Sequence, residues 1–315
     1  MLTLVIGGKL AWAHINMWIL CKASRVALLP STLHLSHIPF MIAPTVQQLV
    51  SRAADYPFPG ARIVMGEGAS AGTAIAFYEG FCLASAYEPI FDVTTRGLPQ
   101  SLTASVESAE RFGDELGFQA LTLTGDGASF DPFAQLDDDP KLVELDRLSR
   151  ALHAFNFFGA QRPGLLFLRV HERLLKSVKY DHGKHFSSVL IEFGLNPARI
   201  VIELPSAAVA HRTFLGYLVK SYQKYGFKVA GNLPNAGQIM SVSDMARLDF
   251  IKMDAGLALR DSVVKPLVGY AHRLKIPLIF DHVGDEAQFE ALQQFEVNFV
   301  QGPAFEAHAI VPGGR

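Results

Sequence analysis

The sequence predicts an α/β barrel, and three observations support this fold class. Eight short apolar runs of strand length lie between Phe81 and Gln301. Most of them are separated by amphipathic segments in which apolar residues recur about every 3.6 residues, the period of a helix. Strands that alternate with helices need crossover connections and therefore form a mainly parallel sheet. No Gly-rich phosphate-binding turn follows the first strand, which favours a closed barrel over an open doubly wound sheet.

The residues at the start of the chain differ in composition from the rest. Residues 1–40 are apolar and include Lys9 and Lys22, and the first acidic residue of the chain is Asp55. We expect an apolar leader outside the working protein, with translation starting at Met41 as our hypothesis. A membrane span or signal segment is the alternative, although basic residues interrupt the roughly 20 apolar residues that a span needs.

The remainder is predicted to form two regions. Residues 41–75 form an N-terminal helix and a linker, because Val46, Leu49 and Val50 have helical spacing and a Pro- and Gly-rich stretch follows them. Residues 76–315 form the barrel domain. Its predicted strands are 81–93, 118–124, 165–170, 200–204, 228–232, 250–254, 278–281 and 298–301. Its predicted helices are 142–155, 185–193, 214–225, 262–274 and 286–295.

The composition excludes several classes of protein. The chain has 315 residues, of which 50% are hydrophobic and 18% are charged, as in a globular protein with a sizeable core. Its formal net charge is −2, so it offers no broad basic surface and we expect no nucleic-acid partner. Its two cysteines, Cys21 and Cys82, cannot build a thiolate zinc site or a disulfide framework, and we expect the protein in the cytoplasm.

The carboxyl ends of the predicted strands carry the polar residues on which any chemistry depends. In a barrel of this kind those ends face one mouth, where side chains from several strands meet. We therefore expect one pocket formed by eight residues: Gln119, Arg169, Glu203, Asn232, Lys252, Asp254, Asp281 and Gln301.

Five strings around these positions carry a resemblance to a known family. They are YEPIFD at 87–92, GFQAL at 117–121, IEL at 202–204, FIKMD at 250–254 and VQG at 300–302. In this order and spacing, the chain resembles the EAL domain family, whose members are cyclic di-GMP phosphodiesterases and their degenerate relatives. The resemblance implies a TIM-like (β/α)8 barrel with an antiparallel first strand, and a homodimer. It also implies magnesium or manganese ions held by carboxylates and an amide at the strand ends, with a lysine that helps to activate water.

The chain departs from the family at most of the metal-binding positions. Gln119 replaces the glutamate of the name motif, and Arg169 replaces an asparagine ligand. Asn232 and Leu233 replace a pair of aspartates, and Leu123 replaces an arginine that grips a ligand phosphate.

The departures outweigh the positions that still match. Those that keep the family's residue, or a shorter acid in its place, are Glu203, Lys252, Asp254, Asp281 and Gln301. Each missing carboxylate weakens a site for hard cations, so we expect no metal cofactor and no catalytic residue. A guanidinium beside a divalent cation is repelled strongly. Our hypothesis is therefore that Arg169 takes the metal position and pairs with Glu203, with Asp254 as a second partner.

Three functions from different classes stay open. The first is a degenerate EAL domain protein that acts as a non-catalytic signalling regulator through a protein partner, with Glu203 and Lys252 kept as a buried ion pair. The second is a metal-free receptor for cyclic di-GMP, in which Arg169 contacts a ligand phosphate. The replacement of the family's phosphate-binding arginine by Leu123 weakens this second alternative. The third is a weak phosphodiesterase with an altered metal set. We favour the first, because the substitutions remove most of the metal site.

Two further features have a plain and a functional interpretation. Asp281 and His282 are either metal ligands or a loop pair, and we favour the loop pair because one histidine beside one aspartate lacks further ligands. Phe155, Phe157 and Phe158 are expected in the turn after a helix, where they either cap the barrel or form an exposed contact patch. We favour the cap.

Overall fold

The computed structural model divides the chain into two units, Met1–Met41 and Ile42–Arg315. It describes these residues: 4–6, 9–11, 43–56, 58–96, 112–124, 132–177, 181–239, 242 and 247–308. In the first unit, the strands β1 (Leu4–Ile6) and β2 (Lys9–Ala11) form an antiparallel pair. The rest of the predicted leader lies outside the described residues.

Ten strands of the second unit form a single sheet. They are β3 (Ala61–Met65), β4 (Ala74–Tyr78), β5 (Phe81–Asp92), β6 (Asp114–Thr124), β7 (Leu165–Arg169), β8 (Ile200–Leu204), β9 (Lys228–Asn232), β10 (Phe250–Asp254), β11 (Leu278–Asp281) and β12 (Phe299–Val300). The helices that alternate with them, or flank them, are α1 (Val46–Ala53), α2 (Asp139–Gly159), α3 (Glu172–Ser177), α4 (Lys184–Glu192), α5 (Ser206–Val209), α6 (Arg212–Lys224), α7 (Ala255–Arg260), α8 (Val264–Leu274) and α9 (Glu286–Gln293).

Eight of the strands close into a barrel. The sheet follows chain order from β3 to β12, and β12 also pairs with β5 to complete the ring. Within the ring, β5 is antiparallel to both of its neighbours, whereas the other neighbouring pairs are parallel. The predicted TIM-like barrel with an antiparallel first strand is confirmed. Among the described residues, no helix has both the length and the apolar character of a membrane span.

The segment expected as a linker contains a strand. Helix α1 lies where the sequence predicts it and begins with a capping box, in which Thr45 and Gln48 each accept a hydrogen bond from the other's backbone N–H. The linker predicted within 41–75 is wrong over β3, which pairs antiparallel with β4. Strand β4 turns into β5 through Glu79 and Gly80, both with positive φ, as a two-residue hairpin requires.

Helix α2 is longer than predicted and carries the phenylalanine cluster. It begins after Asp138, whose side chain accepts a hydrogen bond from the backbone N–H of Lys141. Phe155, Phe157 and Phe158 lie inside its last turns and are at most 3% exposed. They belong to the core beside the barrel, so both the predicted turn and the alternative of an exposed patch are wrong.

The barrel interior has two layers. The lower layer is apolar and consists of Ile90, Phe167, Val201, Ala230, Phe250 and Ile279, with Leu116, Leu165 and Phe299 packed against it. Because side chains alternate along a strand, the residue two positions further on points into the same interior, one layer higher. In β7 to β11, that next residue is one of the predicted pocket residues. The apolar layer thus forms the floor of the mouth.

Candidate functional site

The strand ends bring the predicted pocket residues together at the barrel mouth. Six of them form one hydrogen-bonded network: Gln119, Arg169, Glu203, Asn232, Lys252 and Gln301. Asp254 and Asp281 pair in register at the ends of β10 and β11. The network has one further member that the sequence analysis left out, Glu88 of β5. The signal was available, since Glu88 stands two residues before Ile90 of the apolar layer and therefore on the same face of the strand.

Lys252 is the centre of the network. Its side chain is completely buried, and its Nζ donates to Gln119 Oε1 at 2.6 Å, Gln301 Oε1 at 2.8 Å and Glu203 Oε2 at 3.1 Å. Asp281 Oδ2 lies 3.8 Å from the same nitrogen. An ammonium has three N–H donors, so its donors are all used within the mouth.

The two glutamines connect this centre to the first strand. Gln301 Nε2 donates to Gln119 Oε1 at 2.8 Å and to Glu88 Oε2 at 2.5 Å. The Gln119 carbonyl oxygen accepts from both Lys252 and Gln301. The Gln119 amide therefore works as an acceptor for a buried cation.

Glu203 is engaged at both carboxylate oxygens. Oε2 faces Lys252, whereas Oε1 accepts from Asn232 Nδ2 at 2.9 Å and from Arg169 Nε at 3.3 Å. Burial alone would raise the pKa of this carboxyl. The charges of Lys252 and Arg169, with the hydrogen bonds from Asn232 and Lys252, nevertheless lower the pKa of Glu203 to about 2. Glu203 is thus a fixed carboxylate that holds two cations.

The Arg169–Glu203 pair predicted from the sequence is present. The Arg169 side chain is 51% exposed, so Nε binds Glu203 while much of the guanidinium faces the opening of the mouth. Asp254 was expected as a second partner of Arg169. Its Oδ2 instead lies 3.5 Å from His282 Nδ1.

His282 stands between two carboxylates. Its Nδ1 is 3.2 Å from Asp281 Oδ1, and its backbone has a left-handed φ of 54°. The hydrogen bond with Asp281 raises the pKa of His282; burial opposes this, and the charges of Asp281 and Asp254 support it. Asp254 is held in place because its side chain accepts a hydrogen bond from Leu257 N at 2.7 Å, at the start of α7. The structure thus places a second carboxylate, that of Asp254, beside the Asp281 and His282 pair that the sequence showed.

A cavity of about 590 Å³ adjoins the mouth between β6, α2 and β7. Gln119 and Arg169 form its boundary with the network. On its far wall, Arg150 and Asp146 form a buried ion pair, with Arg150 Nη2 2.6 Å from Asp146 Oδ2. Ser149, which is 3% exposed, also lines the cavity, and within the described part of the chain its Oγ has no hydrogen-bond partner.

The other polar wall of this cavity is His153. It is buried, and its ring nitrogens face Ser85 Oγ at 2.8 Å and Thr122 Oγ1 at 3.1 Å. Burial lowers the pKa of His153 to about 3, so the imidazole is neutral at physiological pH. Phe133 and His171 stack at the edge, with ring centroids 5.5 Å apart and planes 8° from parallel. These residues could not be connected from the sequence, because they come from segments that meet only in the fold.

Many solved structures have the same fold, and three of them are similar over most of this chain. One is a standalone versatile EAL protein from Vibrio cholerae O395 in its c-di-GMP-bound form, with a TM-score of 0.55 at 16% identity over 70% of this chain and 90% of that one. The EAL domain of FimX from Pseudomonas aeruginosa, bound to c-di-GMP, has a TM-score of 0.55 at 16% identity over 70% and 88%. BlrP1 from Klebsiella pneumoniae, as a manganese and cy-diGMP complex, has a TM-score of 0.56 at 18% identity over 78% and 60%.

The sequence comparisons define the family. No curated protein matches the chain. The family model of the EAL domain matches residues 143–307, which are just over half of this chain. The matched segment runs from α2 through the last barrel strand and contains every pocket residue except Gln119. The chain belongs to the EAL domain family.

Proposed function

We propose that the chain is a non-catalytic EAL domain protein that works as a cytoplasmic signalling regulator through a protein partner. The observation that carries this proposal is the network at the barrel mouth. Both oxygens of Glu203 and the donors of Lys252 are engaged by neighbouring side chains. Groups that active relatives would direct at metal ions and water thus bind one another here, and they stabilise the fold.

The residues around Glu203 do not fit the magnesium or manganese ions that the family implies. Hard divalent cations need several oxygen ligands, most of them anionic. Here the oxygens of Glu203 face three nitrogen donors, from Arg169, Asn232 and Lys252. A divalent ion would have to displace these donors beside a permanent guanidinium charge, a repulsion of several kcal/mol even in a polar protein environment.

A protein partner suits a mouth whose charged groups, Glu203 and Lys252, are held by neighbouring side chains. Such a mouth keeps its shape without a ligand, so the domain can present a constant surface. A second copy of the chain is one candidate, because the resemblance implies a homodimer. Light scattering on the purified full chain measures its mass in solution, and affinity capture followed by reconstitution with the purified candidate identifies other partners.

A metal-free receptor for cyclic di-GMP is the second candidate, and the cavity beside the mouth favours it. Its volume of about 590 Å³ is in the range of small-molecule sites. The exposed part of the Arg169 guanidinium, at the boundary of the cavity, suits a phosphate. Binding of this kind needs no metal ion.

Calorimetric titration of the full chain with cyclic di-GMP, with and without magnesium or manganese, separates the three functions. The mixtures are then analysed for linear dinucleotide. We expect no product under any condition. We expect no heat of cyclic di-GMP binding if the protein acts through a protein partner alone. Heat without product would establish the receptor. Metal-dependent product would overturn the proposal.

A pair of arginine variants tests the receptor more sharply. If Arg169 contacts a phosphate, Arg169→Met should lose the binding heat, whereas Arg260→Met should retain it because Arg260 is an exposed arginine of α7. Equal heats for both variants would mean that the ligand does not bind in the cavity beside Arg169.

A further inference from the structure

A groove on the mouth side of the barrel takes no part in the network around Lys252. It has a volume of about 500 Å³ and lies between α3 and the turn from α5 to α6. Because these helices follow β7 and β8, the groove is on the face of the barrel where those strands end. The residues that line it are Glu172, Leu175, Lys176, Ala207, Ala208, His211, Arg212, Thr213 and Phe214.

Part of the groove is apolar, and this apolar surface continues onto α6. Leu175 and Ala208 are its buried members, and Phe214 is half-buried. One turn further along α6, Tyr217 is 41% exposed, one of four large apolar side chains that are exposed among the described residues. The His182 ring packs against both Phe214 and Tyr217, with centroid distances of 6.3 and 5.9 Å, so the two rings belong to one surface. Such a surface suits an apolar side chain of a partner.

The ionisable side chains of the groove are mostly basic. Lys176, His211 and Arg212 line it and are exposed. Within the described part of the chain, Glu172 is the single acid of the lining, and its carboxylate accepts a hydrogen bond from Lys176. Residues 204–243 contain four Lys or Arg and no Asp or Glu, although the whole chain has 30 acidic residues. The groove is therefore a local basic surface on a chain whose formal net charge is −2.

We propose that this groove binds an acidic segment of the protein partner. Carboxylates of the segment face Lys176, His211 and Arg212, and one of its apolar side chains enters beside Leu175 and Phe214. A cavity of about 500 Å³ holds a few side chains rather than a domain, which favours a segment. Complementary charges give such a contact its specificity, and a buried apolar anchor supplies much of its affinity. The inference rests on the proposed function, because it names the chemistry of the partner.

Selection of random phage-displayed peptides on the full chain tests the chemistry of the segment. We expect the enriched peptides to combine acidic residues with Phe, Leu or Tyr. One selected peptide is then synthesised with a fluorescent label and titrated with the protein by anisotropy. Its affinity should fall as the salt concentration rises, because salt screens exposed charges. Polyglutamate, which has no apolar side chain, should bind on the order of 10-fold more weakly.

Two pairs of variants locate the selected peptide on the protein. Arg212→Glu should weaken its binding on the order of 10-fold, whereas Arg260→Glu, at an exposed position of α7, should leave it unchanged. Tyr217→Ala should weaken it to a similar degree, whereas Ile191→Ala, at an exposed position of α4, should not. All four positions are exposed, and the melting temperature of each variant checks that it folds.

Several outcomes would overturn the inference. They are a selection that yields no binding peptide, enriched peptides without an excess of acidic residues, and equal binding by Arg212→Glu and the wild type. Equal binding of polyglutamate and the selected peptide would also overturn it, because the groove would then attract anions without an apolar anchor. Failure of the proposed function is seen separately, as metal-dependent product in the titration with cyclic di-GMP.

Discussion

Lys252 dominates the energetics of the mouth, because its completely buried ammonium balances the buried carboxylate of Glu203. We expect Lys252→Met to destabilise the protein by about 3–5 kcal/mol, since it leaves a buried charge without its main partner. Urea denaturation at neutral pH measures this loss. Lys265→Met, at an exposed position of α8, should cost less than about 0.5 kcal/mol. A similar small cost for both variants would contradict the role of the network.

Glu203 makes stability depend on pH in the acidic range. Its folded pKa of about 2 is lower than the ordinary value of 4.5, so the unfolded chain takes up the proton first as the pH falls. The stabilisation from this carboxylate is complete above pH 4.5 and is lost as the pH falls from 4.5 toward 2.

Glu203→Gln should therefore have a flatter stability profile between these pH values than the wild type. Denaturation midpoints measured at several acidic pH values provide the comparison. Glu290→Gln, at an exposed position of α9, is the control and should follow the wild-type slope. An unchanged slope for Glu203→Gln would mean that Glu203 is not the carboxylate that titrates.

We expect Arg169 to block metal binding beside Glu203, with which it pairs. The triple change Arg169→Asn, Gln119→Glu and Asn232→Asp should give a protein whose melting temperature rises with magnesium or manganese, because it restores oxygen ligands and removes the guanidinium. The double change that keeps Arg169 is the matched control and should not respond. Equal responses of the two proteins would show that Arg169 does not occupy the metal position.

Most of the mouth could be predicted at the level of single residues, because strand ends can be read from apolar runs and barrel topology brings those ends together. Hydrogen-bond partners could not be read in the same way. The pairing of Lys252 with Gln119 and Gln301 joins residues far apart in the chain, and the choice of Asp254 between Arg169 and His282 depends on side-chain rotamers.

At the scale of elements, helix α2 joins the barrel wall to the N-terminal segment. The Phe155 ring packs on Phe193 with centroids 4.6 Å apart, and Gly159 approaches Val46 of α1 so closely that a Cβ there would stand 2.6 Å from it. We expect Phe155→Ala to cost about 3–5 kcal/mol in chemical denaturation. Ile191→Ala, at a position that is 66% exposed, should change stability by less than about 0.5 kcal/mol. A Phe155→Ala variant as stable as the Ile191 control would contradict this packing.

The hairpin of β3 and β4 shows where the sequence was insufficient. Glycine and proline around β3 are typical of loops, and its five residues are too few for a clear alternating pattern. What makes it a strand is the long β5, whose first residues extend past the barrel and pair with β4. Pairing of this kind depends on tertiary context, whereas the eight barrel strands stand out by their own composition.

For the whole molecule, we expect the fold to require α1 and the hairpin but not residues 1–41. Leu49 of α1 is completely buried, and β3 completes one edge of the sheet. A fragment of residues 42–315 should therefore melt at the temperature of the full chain, whereas a fragment of residues 66–315 should melt lower or fail to fold. Circular dichroism measures both. Equal melting of the two fragments would show that the N-terminal segment contributes no stability.

The closure of the barrel has a consequence for synthesis in the cell. The ring is completed when Phe299 and Val300 pair with Asp92 and Phe91, which are made much earlier. A chain emerging from the ribosome therefore carries two unpaired strand edges until β12 has been made. During that interval the edges of β5 and of the growing sheet are open to chaperones or to aggregation.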